Sequence, residues 1–186
     1  MARPTPAREL ADTTIDTPVG PLLLVASGQG LVQISFECEG FDEVLDALAG
    51  TVDGHLVSGP SVLGAPQEAA LGQAARQIDQ YFHRARTAFE VAIDPLVLVG
   101  FRGDVQRHLT TIGYGQTASY AQVAEELGRP GAVRAVGTGC ATNPVPIVLP
   151  CHRVVRSDGA LGGYRGGLEI KQRLLDLEAQ NLVAAG

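Results

Sequence analysis

The pentapeptide Pro150-Cys151-His152-Arg153-Val154 sets a thiol beside an imidazole, with the guanidinium groups of Arg153 and Arg156 close by in sequence. Positive neighbours lower a cysteine's pKa, and the thiolate is the form that attacks carbon, so Cys151 is a candidate nucleophile held as a thiolate. The competing reading is a half-buried thiol at a strand end, because free cysteine is among the most buried residue types. An apolar run, Pro146-Ile147-Val148-Leu149, leads into the cysteine, and Arg156-Ser157-Asp158-Gly159 reads as a turn after it. Cys38 and Cys140 have no histidine neighbour and are expected to be structural. Three widely spaced cysteines without a C-x-x-C pair predict a reduced, cytoplasmic protein with a free thiol. His and Cys show no ligand spacing, so neither a metal nor a cofactor is expected.

These residues need a frame. Residues 13–17, 22–26 and 31–36 are short, rich in Ile, Leu and Val, and separated by Pro18-Val19-Gly20-Pro21 and Gly28-Gln29-Gly30, which predicts a small antiparallel sheet. Helical spacing follows over 41–48, then a Gly-, Ser- and Pro-rich loop over 50–66, a helix over 69–85 and a strand over 89–93. The second half is mostly helical. Val105, Leu109 and Ile112 mark one helix ending before Gly113; Thr117 or Ser119 caps a second that ends at Gly128. A third covers 131–138 across a Gly-Arg-Pro-Gly turn, and a helix pair joined so tightly is a helix-turn-helix candidate. A glycine-rich loop over 159–167 precedes a last helix over 168–180, and it is no phosphate loop, since no Gly-Lys-Ser/Thr follows a strand. The expected fold class is α+β: a small N-terminal sheet-plus-helix domain over 1–94, then a mostly helical, winged-helix-like domain with the helix-turn-helix over 95–186.

Forty-five per cent hydrophobic and 18% charged residues suit an ordinary globular protein. No apolar run reaches spanning length, and residues 1–8 lack the apolar core of a signal peptide and read as a short tail, so no membrane role is expected. The net charge of −6 is unevenly spread: residues 1–100 carry −8, residues 101–173 carry +4 and the remainder −2. The local field governs encounter with a phosphate backbone, so the acidic first half does not exclude a DNA-binding second half.

Ser119-Tyr120, Ala132-Val133-Arg134-Ala135-Val136-Gly137, Asn143-Pro144, Pro150-Cys151-His152-Arg153-Val154-Val155, Gly163-Tyr164, Gly166-Gly167, Lys171, Leu174-Leu175 and Glu178 stand together in one ungapped register. In that register residues 115–178 resemble the methylated-DNA–protein-cysteine methyltransferases, which remove alkyl groups from O-6 of guanine. Upstream, Thr17-Pro18-Val19-Gly20-Pro21-Leu22 is similar to the family's N-terminal strand turn. The resemblance implies that Cys151 is the alkyl acceptor, that His152 takes the thiol proton through a water, and that Glu178 orients His152. It implies a protein used once, since a thioether has no easy hydrolytic exit. The partner would be double-stranded DNA carrying O-6-alkylguanine, bound by a monomer through the minor groove, where little sequence is displayed. The damaged base would be flipped out. Arg134 would fill the gap it leaves, Tyr120 would push the rotating phosphate and bond guanine N3, and Ala132, Ala135 and Gly137 would lie along the groove. Asn143 would hold the turn before Cys151, the Cys151 and Val154 carbonyls would accept from the guanine amino group, and Tyr164 and Arg165 would line the pocket, with Lys171 in support.

Several positions depart from the family pattern: Gln106 where Trp is usual, Gly113 where Pro is usual, and Gly139-Cys140. Loss of the aromatic at Gln106 is expected to loosen packing between the halves. Rival functions are a sensor of alkylated DNA, which would lack the cysteine; a winged-helix regulator, which would not need His152 and Glu178; and a cysteine hydrolase, which adjacent Cys and His seldom support.

Overall fold

The structure is a computed structural model that describes residues 9–51 and 65–184. The expected tail over 1–8 lies outside them, as does the loop expected over 50–66 except at its ends. Strands β1 (Leu10–Ile15), β2 (Leu22–Ser27) and β3 (Gly30–Phe36) form an antiparallel sheet in that order. Every residue of β2 is buried, which is why it shows no polar alternation: both faces of the sheet are covered. Leu22, Leu24 and Ala26 pack with helix α2 (Ala65–Phe82), while Leu23 and Val25 pack with helix α1 (Phe41–Thr51). β1 starts three residues earlier than expected and ends before Thr17, which closes the following turn. The Thr17 hydroxyl donates to the Gly20 carbonyl at 2.6 Å, and its own carbonyl accepts from Gly20 N at 3.0 Å.

The strand expected over 89–93 is reduced to one parallel bridge, Leu31 to Ile93. Side-chain amides of α2 take the place of a ladder there. Gln73 Nε2 donates to the Glu90 carbonyl at 2.7 Å, and Glu90 N donates to Gln77 Oε1 at 2.8 Å.

The second half holds α3 (Gly100–His108), β4 (Ala118–Ser119), α4 (Tyr120–Glu126), α5 (Val133–Ala141), β5 (Val154–Val155) and α6 (Gly167–Ala184). β4 and β5 pair in parallel, so the segment after Cys151 is tied to the start of α4. Ser119, rather than Thr117, caps α4 in a reciprocal box: its hydroxyl accepts from Gln122 N at 3.1 Å, and Gln122 Oε1 accepts from Ser119 N at 2.7 Å. A 3-10 turn, Pro130–Ala132, separates α4 from α5, which therefore starts later than the sequence pattern suggests.

Gln106 is buried and donates to the carbonyls of Gly139 at 3.0 Å and Thr142 at 3.1 Å. It joins α3 to the end of α5, where helical carbonyls run out of partners. A Cβ on Gly139 would stand 2.9 Å from the Val105 Cβ, so only glycine permits that approach. Both bonds that Gln106 makes lie within the second half, where they join α3 to α5. The halves share one core, in which Leu24, Ile34 and Ile78 join Val105, Val123, Leu149 and Leu174. Ile34 N also donates across to the Pro144 carbonyl at 2.8 Å. Among the described residues no helix is long and apolar enough to cross a membrane.

Candidate active site

The chain reaches Cys151 through a strained turn. Ile147, fully buried, takes φ +72°, a left-handed conformation that costs a β-branched residue about 1–3 kcal/mol. Asn143 holds the turn: its amide donates to the Leu149 carbonyl at 2.7 Å, and its Oδ1 accepts from Val145 N at 3.1 Å. Cys151 then opens a 3-10 turn, Cys151–Arg153, and as a residue is only 5% exposed.

That burial pushes the Cys151 thiol up to about 11, against the pull of the Asn143 amide, Lys171 and Arg165. The expectation of a resting thiolate is corrected. Arg153, assumed to face the sulfur, turns to Glu178 instead, with Nε 2.9 Å from Oε2 and Nη2 3.0 Å from Oε1, while Nη1 donates to the Ile112 carbonyl at 2.6 Å. Sequence adjacency did not amount to electrostatic contact.

Glu178 is the hub. It is fully buried on α6, and its two oxygens also accept from His152 Nε2 at 2.8 Å, Tyr81 Oη at 2.8 Å and Gly115 N at 2.9 Å. Burial alone would raise its pKa, but the His152 and Arg153 bonds outweigh it and hold the carboxyl down at about 2. An ionised carboxylate only accepts, so the proton between it and His152 sits on Nε2. Burial lowers the His152 pKa despite Glu178, which keeps the ring neutral. Its Nδ1 therefore carries a lone pair, and that buried atom has no partner among the described residues. A neutral imidazole with the tautomer fixed from behind and a free lone pair is a base.

The other expected site residues divide into two groups. Tyr120 and Tyr164 lie near Cys151: burial raises both phenols, Tyr120 to about 12, with Cys140 and then Cys151 adding to Tyr120 and Cys151 adding to Tyr164. With Gly137, Gly163 and Arg165 they line a cleft of about 410 Å³. Gly162 completes its wall at φ +67°, where a Cβ would fall 2.7 Å from the Tyr120 hydroxyl. Arg165 reaches from the cleft to Glu39, with Nε 2.7 Å from Oε2, and to the Asn143 carbonyl at 3.3 Å. Lys171 is buried and donates to the carbonyls of Val154, at 2.7 Å, and Leu161, so it staples β5 to the glycine-rich loop. Arg134 stands apart: it is exposed on α5, with Ala132, Ala135 and Gly137 partly exposed along the same helix and its preceding turn. Sequence reasoning missed Tyr81 and the partner of Arg153. The spacing of α2 puts Tyr81 on a buried face, but nothing local names its partner on α6. Among the described residues no group of His, Cys, Asp and Glu could hold a metal ion.

Residues 10–95 match the family model for the 6-O-methylguanine DNA methyltransferase ribonuclease-like domain, and residues 100–180 match the model for the DNA binding domain of the same proteins. A methylated-DNA–protein-cysteine methyltransferase of Mycobacterium leprae is 36% identical over 92% of this chain and 94% of its own length. The human protein of that name is 36% identical over 96% of this chain and 84% of its own. Among solved structures, Mycobacterium tuberculosis OGT in complex with DNA superposes with a TM-score of 0.72 at 36% identity, covering 93% of this chain and 94% of that one.

Proposed function

This chain belongs to the methylated-DNA–protein-cysteine methyltransferase family, and on that premise we propose that it repairs duplex DNA by moving the alkyl group of an O-6-alkylguanine onto Cys151. The observation that carries the proposal is His152 itself: neutral, its Nε2–H given to ionised Glu178, its Nδ1 lone pair without a partner among the described residues, beside a buried protonated thiol. The thiol proton passes through a water to Nδ1, the sulfur attacks the alkyl carbon in line with the C–O bond, and the bond to O-6 breaks as S–C forms. Guanine leaves with the electron pair on oxygen and takes a proton, and Cys151 remains as a thioether. No group in the site can hydrolyse a thioether, so each molecule acts once.

DNA enters along the minor groove through α5. Arg134 fills the stack once the base has turned out, and Ala132, Ala135 and Gly137 allow the backbone a close approach. Tyr120 pushes the rotating phosphate and bonds guanine N3, the Cys151 and Val154 carbonyls take the guanine amino group, and Tyr164 and Arg165 border the alkylated oxygen. Asn143 and Lys171 hold the pieces in register. The two domains divide near residue 94, the protein works as a monomer, and a reducing cytoplasm suits it because an oxidised Cys151 could accept nothing. The alternative of a non-catalytic sensor leaves the His152–Glu178 pair without a task. Intact mass after incubation with a duplex bearing one O-6-methylguanine tests the proposal. One added methyl on Cys151 is expected, and tight binding with unchanged mass would overturn it.

A further inference from the structure

We propose that Tyr81, contributed by the N-terminal half, is a positioning residue of this relay, its hydroxyl sharing the Glu178 oxygen that grips His152. The inference rests on the alkyl-transfer function proposed above. Tyr81 stands in the last turn of α2, is fully buried, and is wedged by ring contacts with Phe82 at 5.3 Å, Phe89 at 5.5 Å and Tyr114 at 5.9 Å. Phenylalanine would fill that space as well, and a buried phenol is costly unless bonded. The hydroxyl donates 2.8 Å to Glu178 Oε1, the oxygen that also accepts His152 Nε2 at 2.8 Å and Arg153 Nη2 at 3.0 Å. Oε2 has its own two donors, Arg153 Nε and Gly115 N.

Donors on one carboxylate oxygen compete for its charge. The hydroxyl therefore weakens the pull of Oε1 on the Nε2 proton and keeps the carboxylate from turning. Without it, Oε1 holds that proton more strongly, and an imidazolium at His152 is favoured, which removes the base at a higher pH. The N-terminal half thereby enters the chemistry rather than only supporting it.

The test is Tyr81→Phe in the full chain, read in two ways. In protein labelled with 15N-histidine, the Nε2 proton of His152 is expected to move downfield. The acid limb of the single-turnover transfer rate is expected to move up in pH, costing about three- to tenfold in rate on that limb, with duplex affinity unchanged. Site-specific 3-fluorotyrosine at position 81, a stronger donor, should shift the same resonance the opposite way, and it carries the test if Tyr81→Phe does not fold. An unmoved His152 resonance and pH profile would overturn the inference, as would a loss confined to duplex binding. If the wild-type protein itself transfers no methyl, the proposed function fails, while the resonance still judges the hydroxyl.

Discussion

A thiol whose pKa stands near 11 carries about one thiolate in ten thousand at pH 7. Cys151 is therefore not kept ionised; in the proposed transfer its proton is taken at the moment of attack by the neutral His152 that Glu178 holds. The substitution Glu178→Gln tests that dependence. An amide offers one acceptor oxygen where five donors now converge, and it leaves the buried Arg153 guanidinium without a counter-charge. Transfer from a methylated duplex should fall by about 10²- to 10⁴-fold in a single-turnover assay. Urea unfolding should show a loss of about 3–5 kcal/mol, the cost of removing one partner from a buried ion pair. The run Cys-His-Arg marked Cys151 as the candidate acceptor. It misdirected the cation, because side-chain direction in a 3-10 turn sends successive residues to different partners.

Helix α5 separates its roles by face. Val136, Gly139 and Cys140 are buried against the core, while Arg134 projects to solvent. Base flipping needs an exposed side chain on a rigid element, and Arg134→Ala should slow methyl transfer from duplex by about tenfold while leaving transfer from the free modified base unchanged. Equal slowing on both substrates would remove Arg134 from that role. The helices were legible because apolar spacing and caps are local: the Ser119–Gln122 box closes within four residues. The strand expected over 89–93 was not, because Gln73 and Gln77 satisfy the Glu90 backbone from a neighbouring helix. Apolar β-branched residues mark a segment that suits a strand, and only a partner edge makes it one.

Over the whole molecule, several buried groups set how stability depends on pH, among them His152, Glu178, Cys151 and Cys140. His152 lies below its ordinary 6.5, so the unfolded chain takes up that proton first as pH falls, and stability is lost below about 6.5. Glu178, held at about 2 from 4.5, contributes stability above 4.5 that is lost as pH falls towards 2. Cys151 and Cys140, raised by burial from 9.0 to about 11 and about 12, ionise first in the unfolded chain, and stability declines above pH 9. Thermal unfolding followed by circular dichroism should give its highest midpoint between about pH 6.5 and 9, with lower midpoints at pH 5 and pH 10. A midpoint rising steadily to pH 10 would contradict the buried thiol. What the amino-acid sequence determined by itself was the register that carries the family likeness, most of the helices and the candidate pair Cys151-His152, all written in neighbouring residues or regular spacing. What the tertiary structure alone decided was protonation. The bonds to Glu178 reach across 26 residues from His152, 63 from Gly115 and 97 from Tyr81, and the burial that keeps the thiol neutral comes from packing. A pKa depends on which groups meet in space and how little water reaches them, and neither is encoded in local spacing.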